Sequence, residues 1–201
     1  MARRKSDDPD APRRRILDAA EAVLRRHGPA KLTVSEVARS LGQSHASVYR
    51  YYASKADLVD ALVGRWLAVV TTPLAVIAGG EGPAAERLRA WMMRLRSEKL
   101  RKVTADPEHF AAYHALAGEA RAVVEHHVNE MASQVELIVA SGVASGEFRV
   151  SDPRRAAAAA LSASARFHHP ALLLGPAPPP SDAEVSAVIE LVLAGLRAGV
   201  L

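Results

Sequence analysis

The chain is predicted to be all-helical. Three observations point there. Ala and Leu dominate an apolar fraction that holds few aromatics. Apolar residues recur at three- and four-residue spacings, and strand formers rarely alternate with polar residues. Proline, glycine and Ser/Thr/Asp capping residues punctuate the chain at helix-length intervals. With 201 residues, one or two domains and a sizeable core are possible. The chain has no cysteine, which excludes disulfides and thiolate metal sites and is compatible with a reducing cytoplasm, the expected location. Residues 1–15 are charged throughout, so no signal peptide is expected. No run of about 18 apolar residues is expected to span a membrane. The most apolar stretch, residues 156–174, is interrupted by Arg166, His168, His169 and Pro170.

The elements follow in order. Residues 1–11 mix charge with proline and lack periodicity, which predicts a disordered basic arm. Residues 12–27 place Ile16, Ala19, Ala20, Val23 and Leu24 on one helical face, with Gly28 as C-cap. Thr33 and Glu36 form a capping box for a second helix whose inner face is Val34, Val37, Ala38 and Leu41. Gly42 ends that helix, because the turn requires positive φ. Ser44 caps a third helix running to about Tyr52. Ser54, with Asp57, caps a fourth that carries Leu58, Leu62, Val63, Trp66 and Val70 and that Pro73 should kink or end. Residues 79–83 break the chain. A fifth helix over 84–103 carries Leu88, Trp91, Met92 and Leu95, and its Arg/Lys-rich remainder reads as a solvated face. Asp106-Pro107 starts a helix, or a pair broken near Gly118, running towards Ser141, where Gly142 and Gly146 break it. Ser151-Asp152-Pro153 opens another long helix, residues 175–180 form a stiff linker, and Ser181 with Glu184 caps a final helix bearing Val185, Val188, Ile189, Val192, Leu193 and Leu196.

Residues 33–55 carry the most informative pattern. Two short helices flank a tight turn, and the second is polar and aromatic-rich, the construction of a helix-turn-helix DNA reader. Val48 and Tyr52, four apart, face inward against Val37, Leu41 and Ile16. That leaves Gln43, Ser44, His45, Ser47, Tyr49, Arg50 and Tyr51 for the groove and its walls. Tyr49 and Lys55 suit phosphate, as do Thr33 and Ser35 at the start of the second helix. Three near-consecutive tyrosines cannot all face one core, so only Tyr52 is read as a core residue. Charge agrees. Residues 1–65 hold 13 Lys/Arg and 8 Asp/Glu, a net +5, whereas residues 66–201 hold 13 and 14, a net −1. The positive excess therefore lies on the motif-bearing segment, as a polyanion partner requires.

Leu32-Thr33-Val34, Val37-Ala38, Leu41-Gly42, then Val48-Tyr49-Arg50-Tyr51-Tyr52, Ser54-Lys55 and Leu58 resemble the N-terminal domain of TetR-type transcriptional regulators over about residues 12–66. Gln43 and Ser44-His45-Ala46-Ser47 depart from the pattern on the reading face, which suggests an individual operator. Gly142, Gly146-Glu147-Phe148, Asp152-Pro153 and the Ala-rich helix resemble the effector domains of that family. The resemblance implies about nine helices, a homodimer through the last two, and a ligand cavity among the middle ones. It divides the chain into an arm (1–11), a DNA-binding domain (12–56) and an effector and dimerisation domain (57–201). The function expected is that of a ligand-responsive, sequence-specific regulator, a repressor released from a palindromic operator by an unidentified small molecule.

Candidate walls for a cavity are Trp66, Val70, Trp91, Leu95, Phe110, Tyr113, Met131, Leu137 and Phe167, and candidate polar anchors are His109, His114, Arg121, Gln134, His168 and His169. No cofactor is expected. A divalent metal held by His109, His114, His126, His127, His168 or His169 with Asp106 or Glu119 is the alternative, giving a metal-sensing regulator; spacings of five and one fit helical ligation poorly. A second alternative is a non-specific architectural DNA binder. Phosphate loops, zinc-helix and nucleophile-elbow motifs are absent, so no enzyme is expected.

Overall fold

The computed structural model describes residues 8–200. Residues 1–7, most of the expected basic arm, lie outside the described residues. The remainder of that arm is a turn: Asp8 pairs with Arg14, and its backbone carbonyl accepts from the Ala11 N–H at 3.1 Å. The first helix, α1, starts at Ala11 and runs to His27. Among the described residues there are eleven α-helices and no strand. The count exceeds the expected nine because the long helix expected from Pro153 is broken. It becomes α8 (Pro153–Ala163), α9 (Ala165–His168) and α10 (Pro170–Leu173). The breaks fall at Ser164, whose hydroxyl turns back on the Ala160 carbonyl, and before Pro170, which has no N–H to donate.

Two compact units form. The first holds the described residues up to Arg65 together with Ala111–Val123. Helix α1, a 3-10 turn (Pro29–Lys31), α2 (Val34–Ser40), α3 (His45–Tyr49) and the first part of α4 (Lys55–Ala78) build it. The ends of α6 (Pro107–Ala117) and α7 (Arg121–Ala144) that meet around Gly118 complete it. Its core gathers Ile16, Leu24, Leu32, Val37, Val48, Leu58, Leu62, Tyr113 and Leu116, all essentially inaccessible. Caps expected at Thr33, Ser44, Ser54, Asp106 and Asp152 each accept a backbone N–H three residues on, at 3.0–3.3 Å.

The second unit holds Trp66–Phe110 and the residues from Val124 onward. Helix α5 (Ala84–Ala105) packs on α9 and on α11 (Asp182–Ala198), and α8 also packs on α11. Leu88, Trp91, Leu95, Met131, Val135, Ile138, Ile189 and Leu193 are fully interior. The capping box at Ser181 and Glu184 is complete in both directions.

Four expectations fail here for tertiary reasons. Helix α4 continues through Pro73 to Ala78. Pro73 forgoes one helical hydrogen bond, and burial of Val70, Thr71, Leu74 and Ala78 around it holds the helix together. By length and composition α4 can also cross a membrane, with a window of mean hydropathy 1.7, contrary to the sequence reading. Leu58, Leu62, Leu67, Val70 and Leu74 are interior to the protein, whereas Val69 and Val76 are exposed, so α4 buries one face. Gly142 does not break α7, which runs on to Ala144. The basic end of α5 is not wholly solvated, because Glu98 and Lys99 are buried.

Candidate functional site

The turn between α2 and α3 is locked by backbone geometry. Gly42 takes φ +63°. The Gln43 N–H donates to the Ala38 carbonyl at 2.9 Å and the Gly42 N–H to that of Arg39 at 3.1 Å, a Schellman pair. Helix α3 is shorter than expected, ending at Tyr49, because its last turn tightens: the Tyr51 N–H reaches back only three residues, to Val48. Val48 is fully buried and Tyr52 nearly so, with the Tyr52 hydroxyl donating to the Arg13 carbonyl at 3.5 Å. Tyr49 is 49% exposed. Gln43, Ser44, His45 and Arg50 are exposed, and Ser47 and Tyr51 half-buried. The short helix therefore has an anchored back and an open polar front.

A crevice of about 300 Å³ runs beside that front, lined by Pro12, Arg15, Ile16, Leu41, Gln43, Ser47, Arg50 and Tyr51. Arg15, on α1, brings a second guanidinium to the crevice beside Arg50, a placement hidden in sequence because the run Arg13-Arg14-Arg15 reads as tail charge. The Arg50 guanidinium lies 5.2 Å from the Tyr51 ring centre and donates to the Tyr51 hydroxyl. Thr33 and Ser35 are exposed at the start of α2, the Thr33 hydroxyl being engaged as its cap. Lys55, also exposed, donates to Glu119 Oε2 at 3.4 Å. Arg65 is tied to Asp18 at 2.6 Å and to Glu21 at 2.8 Å, which fastens α4 to α1.

The residues expected to line a cavity divide. Val70, Trp91, Leu95, Met131 and Phe167 share the buried cluster of the second unit. Trp66 and Phe110 stand 5.5 Å apart at a tilt of 59°. Together with His109, Asp106 and Lys102 they line a crevice of about 150 Å³. Gln134 is spent on structure: it accepts from the Trp91 indole N–H at 3.0 Å and donates to the Thr71 carbonyl at 3.2 Å. Tyr113 belongs to the first unit, where burial and the Glu21 carboxylate push its phenol up. Four candidates fall outside any interior. His114 is exposed because the buried stripe of α6 runs through Phe110, Tyr113 and Leu116, off its face. Leu137 is 53% exposed, off the Gln134, Val135 and Ile138 stripe of α7. Arg121, at the first position of α7, and His169, between α9 and α10, are exposed as well.

Among the described residues no three His, Cys, Asp or Glu converge as a metal would require. The histidines instead separate by burial. His127 is 6% exposed, and neither ring nitrogen has a hydrogen-bond partner. Burial, reinforced by the positive field of Lys99 and Lys102, pushes it down to about 3. His168 lies 3.4 Å from the Leu161 carbonyl and from Ser164 Oγ, and burial pushes it down to about 4. Lys99 is 3% exposed and is pushed down to about 8 by burial and then by Lys102. Glu98 faces the other way: burial alone would raise its carboxyl, but Arg101 and Arg94 hold it below the usual range.

The Gly142, Gly146-Glu147-Phe148 signature has a structural reason. The Phe148 ring seats directly on Gly142, where a Cβ would lie 2.2 Å from Phe148 Cδ2. Glu147 then accepts from the Ala84 N–H at 2.7 Å and the Ala85 N–H at 3.0 Å, capping α5 with a carboxylate.

Comparison with known proteins places these features. Residues 84–189 match the family model described as the tetracyclin repressor-like C-terminal domain. Residues 16–62 match the bacterial regulatory proteins of the tetR family. An HTH-type transcriptional regulator of Mycobacterium tuberculosis (strain CDC 1551 / Oshkosh) is 43% identical over 51 residues, 25% of either chain. The alignment thus spans about a quarter of that relative. A transcriptional regulator from Pseudomonas aeruginosa PAO1 superposes with a TM-score of 0.72 at 20% identity, over 96% of this chain and 93% of that one. SmeT, the repressor of the Stenotrophomonas maltophilia multidrug efflux pump SmeDEF, superposes in its triclosan complex with a TM-score of 0.69 at 21% identity, over 95% and 94%. At such identities the structures establish a shared fold.

Proposed function

The chain belongs to the TetR family of bacterial regulatory proteins, and on that premise we propose that it acts as a homodimeric repressor released from a palindromic operator by a small-molecule effector. The observation that carries this reading is the α3 front, with its polar side chains outward and Val48 and Tyr52 anchored behind. A twofold dimer would set two such fronts about one DNA turn apart, or a multiple of that. Gln43, His45 and Ser47 are assigned to base edges. Tyr49, Arg50, Tyr51 and Lys55, with Thr33, Ser35 and Ser44, are assigned to phosphate and groove wall, and Arg15 joins them through the shared crevice.

Effector control needs two states that the ligand binds unequally. Helices α4, α6 and α7 each contribute residues to both units, so a shift in the second unit has three covalent routes into the first. A coupling of about 1–3 kcal/mol would change operator occupancy roughly 5–150-fold. The effector region is assigned to the second unit, around Trp66, Phe110, Trp91, Leu95, Met131, Phe167 and His168. Selection of bound sequences from random duplex DNA tests the reading. An inverted repeat enriched by the full chain supports it. Enrichment of no sequence, with steep salt dependence and equal affinity for all duplexes, would replace it with a non-specific binder.

A further inference from the structure

Helices α5 and α7 share one buried seam. Trp91 is bonded to Gln134, and Leu95 and Met131 lie in the same buried cluster. The next residue along each stripe is basic: Lys99 lies four after Leu95, and His127 lies four before Met131. Phe167, buried in that cluster, is followed by His168 on α9, which packs on α5. An apolar core therefore ends in three basic side chains, and Lys102 stands a turn beyond Lys99. No hydrogen bond or ion pair holds Lys99 among the described residues, and the charged groups acting on it, on His127 and on His168 are themselves basic. His127, more than nine-tenths buried, has both ring nitrogens unpartnered. A lysine only 3% exposed without a counter-charge, and a buried imidazole without a bond, are each costly. Such groups persist where something binds them.

We propose that Lys99 and His127 form the head-group site for an apolar monocarboxylate, whose tail lies along Leu95, Met131 and Phe167 and whose oxygens accept from the Lys99 ammonium and the His127 N–H. The proposal rests on the effector reading of the second unit and names the ligand class. One negative charge fits better than two. Among the described residues Lys99 is the one buried lysine or arginine, whereas Lys102 donates to the Trp66 carbonyl at 2.8 Å and lies 4.1 Å from the Trp66 ring centre. His168 is turned towards the Leu161 carbonyl. The surrounding side chains offer a second charge no solvation.

The test uses the full chain without DNA. Decanoate and 4-butylbenzoate are compared with decanamide and 4-butylbenzamide by calorimetry, on the wild type, Lys99→Met and His127→Phe. The wild type is expected to bind at least one acid about tenfold or more tighter than its amide. Both variants are expected to lose that preference. Lys99→Met, relieved of an uncompensated charge, is expected to melt about 2–4 °C higher than the wild type when ligand-free. Equal binding of acid and amide, no binding of either acid, or a Lys99→Met chain that melts lower or fails to fold would overturn the assignment. Operator release is then measured separately. If the acids bind without altering DNA affinity, the head-group site stands and the effector reading falls. If neutral compounds alone release DNA, the reverse holds.

Discussion

Tyr49 and Tyr52 are three positions apart and have opposite fates, because the turn that follows α3 brings Tyr52 back onto the Val48 side while Tyr49 points outward. That division was legible in sequence: three near-consecutive tyrosines cannot all face one core, and Tyr52, four after Val48, shares its inward face. Lys55 was legible as a cation at a helix start, but its contact with Glu119, 64 residues on, was not. Both bear on DNA. Tyr49→Phe and Lys55→Ala are expected to weaken binding to all duplexes alike, by about 1 kcal/mol each, and Lys55→Ala to reduce the salt slope by about one, measured by fluorescence anisotropy across salt concentrations. His45→Ala is expected instead to relax preference at particular base pairs, by about 1–3 kcal/mol, in competition against a mismatched panel. A uniform loss for His45→Ala would move it to the backbone-contacting set. Glu119 holds the same ammonium at 3.4 Å and would compete with a phosphate for it. Glu119→Gln is therefore expected to tighten binding slightly, within about a factor of five, since an exposed pair contributes under about 1 kcal/mol.

Helix starts were far more legible than helix ends. A start is written locally, by a hydroxyl or carboxylate three residues from the N–H it accepts, and each expected cap does so. Ends depend on what lies across the core. Pro73 was expected to kink or end α4, which runs on to Ala78, and Gly142 with Gly146 to break α7, which runs past Gly142 to Ala144; packing carried both helices on. Gly142 is a contact residue rather than a breaker. Adding a methyl there meets Phe148 Cδ2 at 2.2 Å and the Ala84 Cβ at 2.9 Å. Gly142→Ala is expected to destabilise the chain by about 1–3 kcal/mol in denaturant titration, with Phe148 displaced. Glu147 sits five residues on and carries the other half of the device. Glu147→Gln keeps the shape but removes the charge from the α5 N-terminus, with an expected loss of about 0.5–1 kcal/mol. That loss should vanish only in acid below the usual carboxylate range, where the wild-type carboxyl is protonated, because the Ala85 and Ala84 N–H groups favour its ionised form.

At the scale of the whole molecule, fold class and family followed from the spacing of apolar residues and of one motif. The buried basic groups followed only in part: His168 was expected as a cavity anchor, whereas Lys99 was read with the solvated face of its helix and His127 only as a metal ligand, because burial of a charged helix face depends on packing. These groups leave a signature in the stability of the entire chain. His127 and His168 ionise in the folded state at about 3 and 4, against an ordinary value near 6.5. Between those limits the unfolded chain binds more protons than the folded one, so stability rises with pH. It is present in full above about 6.5 and is lost as pH falls towards 3–4. Lys99 acts in the same direction higher up. Its folded value of about 8 lies below the usual 10.5, so the unfolded chain again holds the extra proton and stability climbs between about 8 and 10. Tyr113 and Tyr52, pushed up by burial, oppose that climb only near and above 10. Guanidinium titrations at intervals from pH 4 to pH 9.5 are therefore expected to show two rising limbs separated by a plateau near neutrality. Lys99→Met should erase the upper limb and leave the lower one, and His127→Phe should shallow the lower limb and leave the upper. An upper limb that survives Lys99→Met would mean that another group supplies it, and that the ammonium is solvated in the folded chain.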